Sequence, residues 1–293
     1  MSATDDPELR LDAFRLQVAA LQSAARGDTR GSRSLVAQAM RTLPGDVPTE
    51  IASLAQLAEA ELAEERPREA SALLADALEK ADSIGSSDEV RVALARRRAV
   101  CLIALEDFDA VEALFTSAAA LSSPRNVAFL RTEQARLLLD AGAPERARAV
   151  LPPLESHAAQ DLQLRAEILV ERSRLHRAGG RDAAAESDAA DARESALEAV
   201  APVPYFAASV ALAELAGDRG DRLAAYASLA KAWATLAALL GREVARSWVE
   251  PCLAAHRLRW GDEAFATARH AYESQRRQAC ESQRRQSGVW GAP

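Results

Sequence analysis

Turn signals recur along the chain at short and regular intervals, and this punctuation limits the possible folds more than any other feature. Between the turns, apolar residues recur at positions i, i+3, i+4 and i+7, which indicates amphipathic helices. No segment shows the alternation of apolar and polar residues that is typical of strands. The sequence therefore predicts an all-α fold with no sheet. The turn signals lie at residues 26–28, 44–46, 65–67, 85–87, 106–107, 122–124, 141–144, 179–180, 202–204, 217–221 and 241.

The helical segments share an internal pattern of small and large apolar residues. In residues 53–78, Leu54 and Ala58 lie on one predicted helix, and Ala70, Leu74 and Ala77 lie on the next. Small side chains are needed where two helices cross closely, because a bulky side chain would push the backbones apart. Comparable offsets recur at Ala20, Val36 and Ala39, at Ala99 and Phe115, at Ala135 and Ala147, at Leu169 and Ala185, and at Ala213, Leu229 and Ala232.

This pattern resembles the tetratricopeptide-repeat family in a divergent bacterial form. The resemblance implies a right-handed superhelical solenoid of about six to seven antiparallel helix pairs. We expect a flexible N-terminus over residues 1–7 and one solenoid domain with degenerate C-terminal capping helices over residues 8–278. Residues 279–293 are expected to form a helical extension and a disordered tail. Other α-solenoids and a non-repetitive helical bundle are the remaining alternatives.

The composition favours an acidic protein that binds neither nucleic acid nor a membrane. The net charge is -7, whereas nucleic-acid-binding domains are usually basic. The N-terminal sequence lacks the basic and apolar regions of a signal peptide, and no uninterrupted apolar stretch is long enough to span a bilayer. The cysteines Cys101, Cys252 and Cys280 show no CxxC spacing and no disulfide framework. We therefore expect a cytoplasmic protein.

Catalytic and metal-binding patterns are weak throughout the sequence. The chain contains no HExxH, GxSxG or GxxxxGK[ST] motif. Cys252 follows Pro251 near a predicted helix start. It shares a helix face with His256 at i, i+4, but two ligands are only half of a zinc site. Carboxylates crowd residues 186–198, where interleaved alanine and arginine favour a solvated helix face. The sequence therefore predicts no enzyme, no metal and no cofactor.

Solenoids of the tetratricopeptide type bind their partners along a concave groove that is formed by the first helix of each pair. Arginine forks pair well with carboxylates, so arginines in this groove predict an acidic or C-terminal peptide as the partner. The resemblance implies that the groove is lined by Arg96, Phe129, Thr132, Arg136, Val170, Arg174 and Arg177. Beside them it places Phe14, Gln17, Leu21 and Val100. The alternative is that the arginines are paired with Glu59, Glu133 and Glu167.

We therefore expect a non-catalytic scaffold or adaptor that binds a protein or peptide partner. The chain has two lysines and one asparagine, so it cannot build the carboxylate clamp that the chaperone-binding members of the family use. The alternative is a ligand- or peptide-sensing regulatory domain of a bacterial signalling or transcription-control system. Formation of a homodimer through the apolar ends of the array is a further option.

The C-terminal region contains an eight-residue duplication. Residues 271–278 (AYESQRRQ) are followed at once by residues 279–286 (ACESQRRQ), and the copies differ only at Tyr272 and Cys280. An α-helix turns about 100° per residue, so the second copy is rotated by about 80° from the first. Because the two copies face different directions, we expect the second copy to be a solvated extension with no role in binding.

Overall fold

A computed structural model of the chain describes residues 6–120, 122–154 and 161–286. Within these ranges the protein has fourteen helices and no strand, which confirms the predicted all-α class. The chain separates into two compact units, residues 1–150 and 151–293. The single domain that the sequence predicts over residues 8–278 stays a prediction.

The N-terminal unit is a succession of helices in which each packs against the helix before it and the helix after it. In addition, α1 contacts α3, and α5 contacts α7. The described helices of this unit are α1 (Pro7–Ala25), α2 (Thr29–Thr42), α3 (Val47–Ala63), α4 (Pro67–Ser83), α5 (Asp88–Ala104), α6 (Phe108–Ala120), α7 (Pro124–Asp140) and α8 (Pro144–Val150). Helix α1 begins inside the segment that was expected to be flexible, because the Asp6 carboxylate caps it by accepting the Glu8 N–H at 2.9 Å.

The C-terminal unit follows the same packing order. Each helix contacts its neighbours in sequence, and α9 also contacts α11, while α12 contacts α14. Its described helices are α9 (Leu162–Ala178), α10 (Asp182–Glu198), α11 (Pro202–Asp218), α12 (Arg222–Leu240), α13 (Arg242–Trp260) and α14 (Asp262–Gln286). Helix α14 therefore includes the whole duplicated segment. The predicted disordered tail beyond it, residues 287–293, lies outside the described residues.

Two helices begin at positions that differ from the sequence expectation. Residues 202–204 were expected to form a turn, but α11 begins at Pro202, where the missing N–H of a proline is harmless. Helix α13 begins at Arg242 and continues through Pro251, although the sequence suggested a helix start near that proline. Pro251 and Ser247 both lie at the surface, so water can reach the backbone carbonyl that the proline leaves without a helical donor.

One turn geometry recurs along the described residues: it joins one helix pair to the next at Gly85 and Val200, and it connects the two helices of a pair at six further places. Each of these six turns contains a residue with φ between 58° and 81°, namely Gly27, Glu65, Glu106, Gly142, Gly180 and Gly220. The N–H groups of this residue and of the next one donate to carbonyls in the last turn of the preceding helix, which closes the helix end. Successive turns lie 38, 41, 36, 38 and 40 residues apart, a longer period than the ~34 residues of tetratricopeptide repeats.

Buried side chains, nearly all of them small, keep a fixed sequence distance from each of these six turns. Seven residues before the turn residue stand Ala20, Ala58, Ala99, Ala135, Ser173 and Ala213, each at most 1% exposed. Five residues after it stand Ser32, Ala70, Val111, Ala147, Ala185 and Ala225, each at most 3% exposed. The structure thus buries the small residues of the repeat pattern at these positions.

Ser173 is the polar member of the first set, and it replaces the small apolar residue that the pattern favours. Its hydroxyl donates to the backbone carbonyl of Ala185 at 2.7 Å. Ala185 is the matching residue after the turn, so this hydrogen bond joins the two crossing positions of one helix pair. A buried hydroxyl that has such a partner avoids the cost of an unsatisfied polar group.

The last helix pair departs from this register. Counted from Gly261, the equivalent positions are Ala254 and Ala266, and both are exposed. Aromatic side chains provide the packing here instead. The Trp248 ring lies 5.6 Å from the Phe206 ring, centroid to centroid, and Trp260 packs against the core of the same unit.

Candidate binding surface

Two of the predicted groove residues do not reach the surface. Thr132 is 4% exposed, and its hydroxyl donates to the backbone carbonyl of Ala128 at 2.8 Å. Val170 is 6% exposed and packs in a core cluster of the C-terminal unit. The prediction that these two residues face a partner is therefore wrong. The reason is helix rotation: Thr132 continues the buried side of α7 that includes Ala128 and Ala135.

Arg96 and Arg136 share a single carboxylate in the N-terminal unit. Arg96 on α5 donates through Nε and Nη2 to Glu133 Oε1 on α7, at 3.1 and 2.9 Å. Arg136 donates through Nε to Glu133 Oε2 at 3.0 Å. Burial alone would raise the pKa of Glu133, but the hydrogen bond and charge of Arg136, together with those of Arg96, hold this pKa below its ordinary value. These two arginines are therefore paired with Glu133, which was the alternative expectation.

Arg174 and Arg177 are also paired, within the C-terminal unit. Arg174 donates to Glu171 Oε2 at 2.9 Å. Arg177 on α9 pairs with Glu214 and, at 2.7 Å, with Asp218, both on α11. Of the other carboxylates that were expected as partners, Glu59 pairs with Arg97 at 3.3 Å, and Glu167 accepts a hydrogen bond from Gln163. Because each arginine of the predicted stripe faces a carboxylate, this stripe offers little unbalanced charge to an acidic partner.

Several of these contacts hold successive first helices together within a unit. Arg96 and Glu133 are 37 residues apart, and so are Arg177 and Glu214, which matches the spacing of the recurrent turns. On α1, the Gln17 amide donates to the Thr49 carbonyl of α3 at 3.1 Å. The polar side chains of the predicted groove therefore have a structural use, because they fix one first helix beside the next.

Apolar side chains are exposed on the first helix of the N-terminal unit. Leu11, Phe14 and Leu21 are 48%, 60% and 47% exposed, and their spacing places them on one side of α1 over about three turns. Val100 on α5 is also exposed. Phe14, Leu21 and Val100 were expected at this surface, and the structure exposes all three. Single exposed apolar residues are ordinary, but a contiguous apolar stripe commonly marks an interaction site.

The carboxylate-rich segment of α10 is only partly solvated. Asp191 and Glu194 are exposed, as expected, but Asp188 is only 6% exposed. Arg172 donates to the two oxygens of Asp188 at 2.7 and 2.6 Å, and His176 Nε2 lies 3.7 Å from Asp188 Oδ2. The prediction of a solvated face is therefore wrong at Asp188, whose bidentate arginine partner makes its burial tolerable.

The Cys252–His256 pair serves packing in this structure. The His256 ring lies 4.7 Å from the Trp260 ring, centroid to centroid, and burial lowers the pKa of His256. Burial also raises the pKa of the Cys252 thiol. Among the residues that the structure describes, no three His, Cys, Asp or Glu side chains come together as a group able to hold a metal ion.

Helix α12 has two distinct sides. By length and composition alone it is the one described helix that could cross a membrane, and a core helix of a soluble protein meets the same criterion. Its inner side packs into the core of the C-terminal unit through Ala225, Leu229, Ala232 and Leu236. Its other side, together with α13 and α14, borders an open cleft of about 550 Å³ that the sequence did not reveal.

No protein-family model matches the sequence of the chain, and no curated protein is significantly similar to it. Membership of the tetratricopeptide-repeat family therefore stays a prediction that rests on the residue pattern.

Proposed function

We propose that the chain is a non-catalytic, cytoplasmic scaffold or adaptor that binds a protein or peptide partner on the surface of its first helices. The architecture that we propose for it is a right-handed, tetratricopeptide-like solenoid of six to seven antiparallel helix pairs. The recurrent turns and the packing of each helix on its neighbours support this arrangement. The function itself rests on one observation, the exposed apolar stripe of Leu11, Phe14 and Leu21 on α1.

The chemistry of this surface favours a partner with apolar anchor residues. Burial of apolar area contributes about 25 cal/mol per Å², so a leucine or phenylalanine that becomes buried contributes about 1.5–3 kcal/mol. The Arg96–Glu133 and Arg97–Glu59 pairs are already complete before any partner arrives. Breaking them to admit an acidic peptide would cost part of the energy gained, so the apolar stripe is the more favourable contact.

A photo-crosslinking experiment tests this proposal. Benzoylphenylalanine is placed at position 14, on the stripe, or at position 258, where Leu258 is 89% exposed but lies on α13. After irradiation in the cells that make the protein, position 14 should yield one discrete adduct and position 258 should not. Leu21→Glu should reduce the adduct at position 14 by at least tenfold.

The same experiment separates the competing outcomes. An adduct at twice the chain mass of 31.3 kDa would identify a homodimer interface. Equal crosslinking at positions 14 and 258, or no adduct at either, would contradict a binding role for the α1 stripe.

The alternative function, a ligand-sensing regulatory domain, has its own structural support. A cleft of about 500 Å³ lies between α4, α5 and α6 in the N-terminal unit, a volume within the range of small-molecule sites. Leu78, Ala95 and Leu114 line it, and the Arg91–Asp82 pair at 3.7 Å also borders it. Native mass spectrometry of the purified protein tests this alternative function. A small molecule that co-purifies with the unmodified protein but not with the Ala95→Trp variant would favour the sensor over the scaffold.

A further inference from the structure

The open cleft of the C-terminal unit is formed by one face of each of its last three helices. The lining residues on every helix recur at helical spacing, so each helix turns a continuous stripe toward the same space. The cleft holds about 550 Å³. Its lining residues are Tyr226, Ala230, Trp233 and Ala234 on α12, Arg246, Glu250 and Leu253 on α13, and Arg269, Tyr272, Glu273, Arg276 and Arg277 on α14.

The floor of the cleft is apolar and partly aromatic. Tyr226 lies in edge-to-face contact with Tyr272, at 5.7 Å between ring centroids, and this contact joins α12 to α14. Trp233 remains 37% exposed beside Ala230 and Ala234. Two alanines one turn apart let another chain approach the helix backbone closely, and a tryptophan beside them offers a large apolar face.

The charges around this floor do not balance. Arg246 lies 3.7 Å from Glu250, and Arg269 donates to Glu273 at 2.8 Å, so each carboxylate of the lining already has an arginine. Arg276 and Arg277 form no ion pair within 4 Å with any side chain that the structure describes. The hydrogen bond of Arg269 lowers the pKa of Glu273, and the charge of Arg277 adds to this effect. The lining therefore has four cations and two anions, an excess of positive charge in a chain whose net charge is -7.

We propose that this cleft binds an acidic peptide segment of a partner protein. An apolar side chain of the peptide packs on Ala230 and Ala234 between Trp233 and Tyr272, and flanking carboxylates pair with Arg276 and Arg277. The cleft is open to solvent and is bordered by three helices. An amphipathic segment laid into a groove between helices fits this shape. The site lies in the other unit from the α1 stripe, so it does not depend on the proposed function of that surface.

The duplicated segment contributes to the cleft through its first copy. Tyr272, Glu273, Arg276 and Arg277 all belong to residues 271–278, and no described side chain of residues 279–282 lines the cleft. The two copies have the same arginine pair, but the second pair, Arg284 and Arg285, stands eight residues, about 12 Å, further along α14. Arg284 and Arg285 therefore serve as a control with the same local sequence as Arg276 and Arg277 but further along the helix.

The first test is a fluorescence anisotropy titration with two labelled peptides, the acidic DELFED and its neutral counterpart NQLFQN. Unmodified protein should bind DELFED at least tenfold more tightly than NQLFQN, and high salt should reduce this preference. The double variant Arg276→Glu, Arg277→Glu should weaken DELFED binding at least tenfold. The matched variant Arg284→Glu, Arg285→Glu should stay within twofold of the unmodified protein.

Several results would overturn the proposal. These are equal affinity for the two peptides, no saturable binding of DELFED, or an equal loss in both double variants. Circular dichroism at 222 nm checks that each variant is folded, and Arg276→Gln, Arg277→Gln gives a milder second variant. Crosslinking at position 14 should be unchanged in all of them, so failure at the cleft is distinguishable from failure at the α1 stripe.

A pair of deletions supplies the second test. The first deletion removes residues 279–286, and the second removes residues 271–278. The two shortened chains have equal length and differ at one position, where the first deletion retains Tyr272 and the second has a cysteine. The first deletion should bind DELFED like the full chain. The second should bind at least fivefold more weakly, because it lacks the ring that packs against Tyr226. Equal binding by both deletions would show that Tyr272 does not form part of the site.

Discussion

Val200 offers a direct measurement of backbone strain in this fold. It connects α10 to α11 with a φ of 53°, and its N–H donates to the Leu197 carbonyl at 3.1 Å. A β-branched residue rarely adopts this left-handed conformation. Val203, in the first turn of α11, has the same exposure of 63% but helical backbone. The variants Val200→Gly and Val203→Gly therefore remove the same side chain at the same exposure from two different backbone conformations.

The expected magnitudes follow from three terms. Glycine costs about 0.5–1 kcal/mol in backbone entropy at either position. Loss of the buried third of a valine side chain costs roughly another 0.5–1 kcal/mol. Only Val200→Gly relieves left-handed strain, which is about 1–2 kcal/mol for a residue other than glycine. We expect Val200→Gly to be nearly neutral, while Val203→Gly loses about 1–2 kcal/mol of unfolding free energy.

Urea unfolding followed by tryptophan fluorescence measures this difference. All four tryptophans lie in residues 151–293, as does Val200, so the signal reports on the C-terminal unit. The denaturation midpoint should be higher for Val200→Gly than for Val203→Gly at an unchanged slope. Equal midpoints, or a lower midpoint for Val200→Gly, would refute the reasoning that the turn at Val200 is strained.

Three further measurements test other features of the structure. Arg172→Ala should lower the unfolding free energy by about 2–3 kcal/mol, because it leaves the buried Asp188 carboxylate without its bidentate partner, although the half-exposed arginine tempers the loss. Burial lowers the pKa of His256 below 6.5 in the folded protein. The contribution of His256 to the unfolding free energy should therefore be constant above pH 6.5 and decrease as the pH falls from 6.5 through the folded-state pKa. His256→Gln should remove this pH dependence in urea titrations. Iodoacetamide at pH 8 should modify exposed Cys280 rapidly and Cys101 only after unfolding, since burial raises the pKa of Cys101 to about 11.

Each of these predictions has a control in the same chain. Arg219→Ala breaks an exposed ion pair with Glu186 and should cost under about 1 kcal/mol, so an equal loss for the two arginine variants would contradict a special role for Arg172. His270→Gln, at an exposed histidine, should leave the pH dependence intact. Cys280→Ser should abolish the rapid alkylation, and persistent labelling in this variant would show that the half-buried Cys252 or the buried Cys101 is accessible.

The helices and their crossing points were predictable because both are local properties. A period of 3.6 residues is visible in any window of the sequence, and small residues such as Ala58 and Ala77 mark the crossings directly. The left-handed turn conformation was predictable where the turn residue is a glycine, as at Gly27 and Gly180. Glu65 and Glu106 adopt the same left-handed conformation without being glycine. The sequence predicted turns at residues 65–67 and 106–107, but not the left-handed residue within each of them.

The predicted groove was less accurate because its orientation depends on rotation about each helix axis. One position along a helix changes the direction of a side chain by about 100°, so an error of one position in the register exchanges a buried residue such as Thr132 for a partly exposed neighbour such as Glu133. The partner of an arginine is also non-local, since Arg96 reaches Glu133 across 37 residues. The pattern of charges on one helix does not contain this information.

The C-terminal cleft escaped prediction because it forms only when α14 packs back on α12. Its one sequence signal is the helical spacing that connects Tyr272 to Arg276 in the first copy of the duplicated segment. In the structure, Tyr272 touches Tyr226 and is followed by arginines that lie at the edge of an open space.

Asp218 is the meeting point of three helices, and this gives the C-terminal unit a mechanical property. Its carboxylate accepts from Arg259 on α13 at 2.8 Å and from Arg177 on α9 at 2.7 Å, while Asp218 itself belongs to α11. A force that pulls α9 away from α13 would therefore load both ion pairs in series through one side chain. Salt weakens such exposed pairs, so the bending stiffness of this unit should decrease as ionic strength rises, even where its folded structure is unchanged.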